Sequence, residues 1–406
     1  MVWVIDEGEN MPKDNLSYVL VTPYTIAKSR TGGVISRLLS RVDLELVGAQ
    51  MFAPTVEFAA EFADSVLSTY EGDGVKGARL MQKYIISAFS PSGGRKHRVL
   101  LLLFKGENAC SKLAAVAGPL FKEEVNIEQL TGETIRDTYA DFVTSQNDPN
   151  KVIYYEPAVL TPRSPITAKQ HLQIISDFIK GEDTIINNMS YPDPSEIERT
   201  LVIIKPDNWK FASSKPGTII DMFSRTGLRI ISSKIQQMSV GQALEFYGPV
   251  RDVLRRKLSP VFAERAGRLL EMEFGVKLSE RTMSNLSDTF GQDMAIDQFD
   301  QIIEFMTGHR PENCTSEEDM RNPGKVKSMV LVYEGKNAIN KIREVLGPTD
   351  PTKAPGGTIR REFGQNVMVN TAHASDSVEN ALREMKIIDV DHSNCTSIMQ
   401  EYLSTL

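Results

Sequence analysis

The stretch "NTAHASDSVENALREM", residues 370–385, holds His373 in a run of small residues, with Ser375 two positions on and Glu384 eleven positions on. A carboxylate that accepts a hydrogen bond from one imidazole nitrogen fixes the tautomer and leaves the other nitrogen with its lone pair free to attack. Asp376 and Glu379 form an Asp-x-x-Glu start for a helix, and Val378, Ala381, Leu382 and Met385 give that helix an apolar stripe. Glu384 stands at the edge of the stripe, from where it can turn toward the strand end that carries His373. The competing reading is a satisfied turn histidine and a solvated helix charge. The segment alone leaves both open.

Other side chains suited to an anion are scattered along the second half. Lys205 ends the apolar run "LVIIK", Arg343 lies in "NAINKIREVLG", Arg360 in "TIRREF", and Thr349 in the turn "LGPTDP". Singly, such charges are usually just solvated. Together they supply donors for a triphosphate in a chain that has no G-x-x-x-x-G-K-[ST] loop. Lysine and arginine, in place of a glycine-rich backbone cradle, would then hold the phosphates.

The elements that must position these groups are written twice. Residues 18–46 align with 200–230, "LLFKGENA" at 102–109 with "LVYEGKNA" at 331–338, and "TIR" at 134–136 with "TIR" at 358–360, all in the same order. The copies join near 181–198, where polar residues and prolines interrupt any periodicity. In the second copy, spacing predicts strands at 200–205, 228–237, 328–333 and 366–370, and helices at 217–226, 240–256, 297–306, 337–346 and from 377. That order is the split βαββαβ, ferredoxin-like plan with extra helices. The expected fold is α+β: two ferredoxin-like domains, each with an antiparallel sheet, in tandem.

Composition narrows the function classes. With 41% hydrophobic and 24% charged residues, the 406-residue chain reads as ordinary globular protein in two domains. A net charge of -7 argues against a sequence-independent grip on nucleic acid but permits a local pocket for a small anion. Cys110, Cys314 and Cys395 are too scattered for a disulfide framework or a closed zinc site. The amino terminus is acidic and lacks the pattern of a signal peptide, and no apolar run approaches membrane-spanning length. The expectation is a cytoplasmic protein with no membrane partner.

At this point the second half resembles a nucleoside diphosphate kinase. The resemblance is carried, in family order, by "ERTLVIIKPD", "GTIIDMFSRTGLRI", "ALEFY", "VYEGKNAINKIREVLGPTDP", "PGGTIR" and "NTAHASDSVENALREM". It implies a ping-pong exchange in which His373 takes the γ-phosphate of a nucleoside triphosphate and gives it to a diphosphate. Glu384 orients the histidine, and Ser375 stands beside it. Lys205 and Asn370 match the family's ribose contacts; Arg343, Thr349 and Arg360 match its phosphate contacts, with Tyr247 also in the nucleotide site. Mg²⁺ comes bound to the nucleotide phosphates, and no protein metal ligands are expected. Such chemistry depends on positioning and on charge compensation at the phosphoryl oxygens.

Three departures stand out. The family's His-Gly-Ser-Asp reads His-Ala-Ser-Asp here, so Ala374 adds a methyl beside the histidine. The chain runs about forty residues longer than the family between Tyr247 and "IEFM", an insertion placed near 257–297 that would rebuild the hairpin over the base. Phe299 has two readings, base-stacking residue or core residue. In the first copy Thr22 replaces Lys205, Ala114 replaces Arg343, Leu120 replaces Thr349, and the place of the histidine falls near Thr161; only Arg136 survives, as the match to Arg360. His97 and His171 read as surface residues. The expected division is therefore a silent copy at 1–185 and a catalytic domain at 196–406, the two paired within the chain and open to further homo-oligomerisation. A non-enzymatic nucleotide-binding or scaffold protein, and a protein histidine phosphotransferase using the same site, are the alternatives.

Overall fold

The structure, a computed structural model, describes residues 14–70, 74–120, 132–187, 189, 191 and 193–405. The acidic amino-terminal segment read above lies almost wholly outside the described residues, as do three positions of the connector.

The first half runs β1 (Asp14–Val21), α1 (Pro23–Ala27), α2 (Thr31–Arg41), β2 (Glu45–Phe52), α3 (Val56–Ser68), α4 (Gly74–Phe89), β3 (Val99–Glu107), α5 (Ala109–Ala117), α6 (Ile135–Tyr139), the hairpin β4 (Asp141–Ser145) and β5 (Asp148–Glu156), β6 (Val159–Leu160) and α7 (Pro165–Ile179). The second runs β7 (Ile197–Ile204), α8 (Lys215–Ser224), β8 (Arg229–Gln236), α9 (Val240–Phe274), α10 (Glu280–Leu286), α11 (Gln292–Thr307), α12 (Glu317–Arg321), β9 (Ser328–Lys336), α13 (Ala338–Leu346), α14 (Ile359–Phe363), β10 (Ala372–Ala374), α15 (Val378–Ile388) and α16 (Cys395–Ser404).

Each half builds a four-stranded antiparallel sheet in the same order, β2-β3-β1-β6 and β8-β9-β7-β10. These are two ferredoxin-like domains in tandem. The central strands are covered on both faces, so "LVII" in β7 is wholly buried and reads as a continuous apolar run. The repetition reaches single residues. Both second strands carry a bulge, at Leu46/Gly48 and at Ile230/Ser232. Asn108 and Asn337 each enter a helix in the left-handed region, at φ 55° and 56°, where asparagine is among the few non-glycine residues tolerated.

Two expected elements moved. The strand placed at 366–370 lies at 372–374. The Asn366 side chain accepts from the amides of Met368 and Val369 while Gln365 N donates to Val369 O, so a local turn takes the amides a strand would need. The helix drawn at 240–256 continues to Phe274 through Pro249 and Pro260 and stops at Gly275, whose φ is 65°.

The halves share one buried apolar cluster that runs from Val19 and Leu102 to Ile203 and Val332. Helix α2 crosses α8 so closely that a Cβ on Gly32 would collide with the Asp221 amide, and one on Gly217 with the Ser36 amide. Arg98 donates to Ile230 O (2.7 Å), and Ile186 N donates to Ile231 O (3.0 Å). Helix α16 packs back on the first half, with Cys395 and Met399 buried among Phe52, Leu172 and Ile175. Among the described residues no helix is long and apolar enough to cross a membrane.

Candidate functional site

Strand β10 pairs with β7, His373 opposite Ile203. Ala372 and Ala374 are buried, and strand alternation turns His373 to the other face, where its side chain is 22% exposed. Ser377 caps α15 by accepting from Asn380 N, and the helix then brings Glu384 back over the strand. Glu384 is buried. Its Oε2 accepts from His373 Nε2 (2.9 Å) and from Ser375 Oγ (2.6 Å), so it is not a solvated helix charge. With the proton on Nε2, the lone pair is on Nδ1, which no described residue hydrogen-bonds. The Phe246 ring stands edge-on to the imidazole at 5.0 Å, and Tyr247 follows at 6.4 Å.

The cations occupy two levels. Lys205 and Arg360 are buried, each about 9% exposed. Lys205 Nζ donates to Asn370 Oδ1 (2.7 Å) and Met368 O (3.3 Å), and burial, with the charge of Arg360 behind it, pushes the ammonium down to about 7. Arg360 donates to Gly347 O (3.0 Å) and Ala372 O (2.9 Å), which ties the turn after α13 to the strand carrying His373. Burial and the neighbouring Arg343 lower it to about 10. Asn370 also donates to Thr349 O (3.1 Å) and Val367 O (2.7 Å). Arg343 and Thr349 lie exposed above this layer. Tyr247 is buried with no hydrogen-bond partner for its hydroxyl among the described residues, and burial holds its pKa above the usual tyrosine range.

The family model described as "Nucleoside diphosphate kinase" matches residues 198–257 and 275–391. A nucleoside diphosphate kinase of Bdellovibrio bacteriovorus is 30% identical over 199 residues, which span 49% of this chain and 97% of that protein. Nucleoside diphosphate kinase 2 of Protochlamydia amoebophila is 32% identical over 190 residues, 47% of this chain and 90% of that protein. The chain belongs to the nucleoside diphosphate kinase family. A solved structure of the Aquifex aeolicus nucleoside diphosphate kinase shares 27% identity over 47% of this chain and 94% of that one, with a TM-score of 0.30. The match breaks only over 258–274, the far part of α9, within the longer stretch the sequence marked as inserted.

Of the kinase-family residues singled out in the sequence, the structure gathers His373, Ser375 and Glu384 into one bonded group, and Lys205, Asn370 and the Thr349 backbone into another. Arg360 bridges toward the first group, whereas the Arg343 side chain makes no hydrogen bond or ion pair with a described residue. Phe299 is a core residue, 2% exposed, and so is not open to stack on a base. Sequence reasoning missed Phe246 and Arg383; the only signal was that "ALEFY" and "ALREM" flank residues already chosen.

In the first half, Leu160 pairs opposite Leu20 as His373 does opposite Ile203, so the histidine's place is Leu160, one residue before Thr161. His171 then stands where Glu384 does, each in the second turn of a helix capped by serine. It is not a surface residue. At 4% exposure, its Nδ1 shares a hydrogen bond with the Tyr18 hydroxyl (2.6 Å), and burial pushes its pKa down to about 4, so the ring is neutral. Thr22, in the place of Lys205, donates to Glu156 (2.6 Å). His97 is half-buried on Ala88 O.

Proposed function

We propose that residues 196–406 carry out nucleoside diphosphate kinase chemistry through His373 and that residues 1–185 are catalytically silent. In the first step the Nδ1 lone pair attacks the γ-phosphorus of a nucleoside triphosphate in line. The bond to the bridging oxygen breaks, and the diphosphate leaves with that electron pair. In the second step a terminal oxygen of another diphosphate attacks the phosphohistidine, and the N–P pair returns to Nδ1. Glu384 keeps the proton on Nε2 and balances the positive charge that the ring gains. Lys205, Arg343 and Arg360 supply positive charge around the phosphoryl oxygens and ribose, with Thr349 and Asn370 as neutral donors. Mg²⁺ enters as part of the nucleotide substrate.

What carries the reading is the pairing of a free Nδ1 with an Nε2 held by a buried carboxylate. Incubation with γ-labelled ATP should leave acid-labile, base-stable label on the protein, and a chase with GDP should remove it as GTP. Label that persists in His373→Ala would overturn the assignment.

The same reading treats the halves as pairing like two protomers of a dimer, supported by the close crossing of α2 on α8 and the shared core. It also puts the protein in the cytoplasm, with its nucleotide substrates.

A further inference from the structure

Pro249 lies inside α9 and has no N–H to give to the carbonyl four residues back, that of Glu245. Arg383 on α15 supplies a donor instead. Its Nη1 donates to Glu245 O (3.2 Å) and its Nη2 to Phe246 O (3.2 Å). The same Nη2 lies 3.7 Å from Glu384 Oε1, whereas His373 and Ser375 both bond to Oε2. One guanidinium therefore touches the turn of α9 that holds the Phe246 ring against His373 and also the idle oxygen of the carboxylate that orients His373.

We infer that Arg383 is a positioning residue for phosphoryl transfer, coupling the proline-broken turn of α9 to the orientation of Glu384. This rests on the reading of His373 as the nucleophile. A guanidinium at Oε1 favours the rotamer that leaves Oε2 on the imidazole. Its fork on two adjacent carbonyls fixes how far Phe246 leans on the ring. A small rotation of the imidazole moves Nδ1 off the line of attack, which in-line transfer punishes heavily.

The test uses the full chain and single-turnover phosphorylation by γ-labelled ATP. Labelling of the unaltered protein at His373 comes first; its absence would sink the reading of the site, not this inference alone. Arg383→Met should then slow phosphorylation about tenfold, with the nucleotide KM nearly unchanged. Pro249→Ala returns an amide to Glu245 O and separates the two roles. In that background Arg383→Met should cost little in melting temperature but keep its rate loss, because Glu384 still lacks the cation. Arg383→Lys, which keeps the charge without the fork, should recover part of the rate. If the rate loss disappears in the Pro249→Ala background, or if KM rises in step with it, Arg383 is only a strap for the helix and the inference fails.

Discussion

The two halves share their strand order, a bulge in the second strand, a left-handed asparagine before the same helix and one buried arginine, yet apart from that arginine the first half has no counterpart of His373, Glu384 or Lys205. Arg136 donates to the carbonyls of Gly118 and Val159, as Arg360 does to those of Gly347 and Ala372. An arginine present where Leu160 stands in the place of the histidine and Thr22 in that of the lysine serves the backbone: it closes carbonyls that the turn and the short strand would otherwise bury unpaired. On the proposed function, the comparison separates residues the fold needs from residues the chemistry would need, and puts Arg360 in both sets.

The largest expected effect tests the chemical set. His373→Ala should lower exchange by roughly three to six orders of magnitude, as loss of a nucleophile does, with no change in melting temperature beyond a degree or two. Next comes Lys205→Gln, expected to raise the barrier by about 2–4 kcal/mol, read as kcat/KM. Lys205 is held at about 7 against an ordinary 10.5. The unfolded chain therefore binds more protons than the folded one between those values, and stability of the free protein should rise with pH across that window. A nucleotide polyanion should push the ammonium back up, so binding at pH 8 should take up a proton. Calorimetry in buffers of different ionisation enthalpy would show this uptake, and Lys205→Gln should lack it.

The fold set gives smaller effects. Gly217→Ala at the α2/α8 crossing should destabilise the chain by about 1–3 kcal/mol, visible in denaturant melts, because the collision is with backbone that cannot turn aside. Arg136→Met should cost about 1–3 kcal/mol and leave exchange at His373 intact. Leu160→His should change neither exchange nor label, since His171 cannot do the work of Glu384. Label on Leu160→His would mean the first half needs only one residue to take up phosphate, and the separation of the two sets would fail.

Much of this was legible in sequence for physical reasons. Continuous apolar runs mark strands buried on both faces, and the second copy's runs repeat those of the first. His373 and Glu384 could be paired because a helix with a clear stripe, beginning just after His373, fixes where its second turn returns. Its cap is Ser377, where the sequence suggests an Asp376–Glu379 pair, and Asp376 instead accepts from the Asn380 side chain. The arginine braces were not legible: their partners are carbonyls, which every residue has. His171 sits in the polar string "TAKQHLQ" and gives no local sign of burial; only the register of β6 on β1 reveals what it replaced. The run of α9 through two prolines was hidden because Arg383, far along the chain, answers one of the carbonyls they leave.

Helix α16 brings a matter of timing. Asn394, just before it, meets Val47 across 347 positions of sequence, and Cys395 and Met399 complete an apolar face of the first half. At about 5–20 residues per second, the ribosome would deliver α16 roughly twenty to seventy seconds after the strand it covers. Once α7 is made, and until α16 arrives, the first half carries an uncovered patch beside Phe52 and Leu172, and a chaperone or the arriving second half is what it meets. The first half, although made first, would be the last to finish folding.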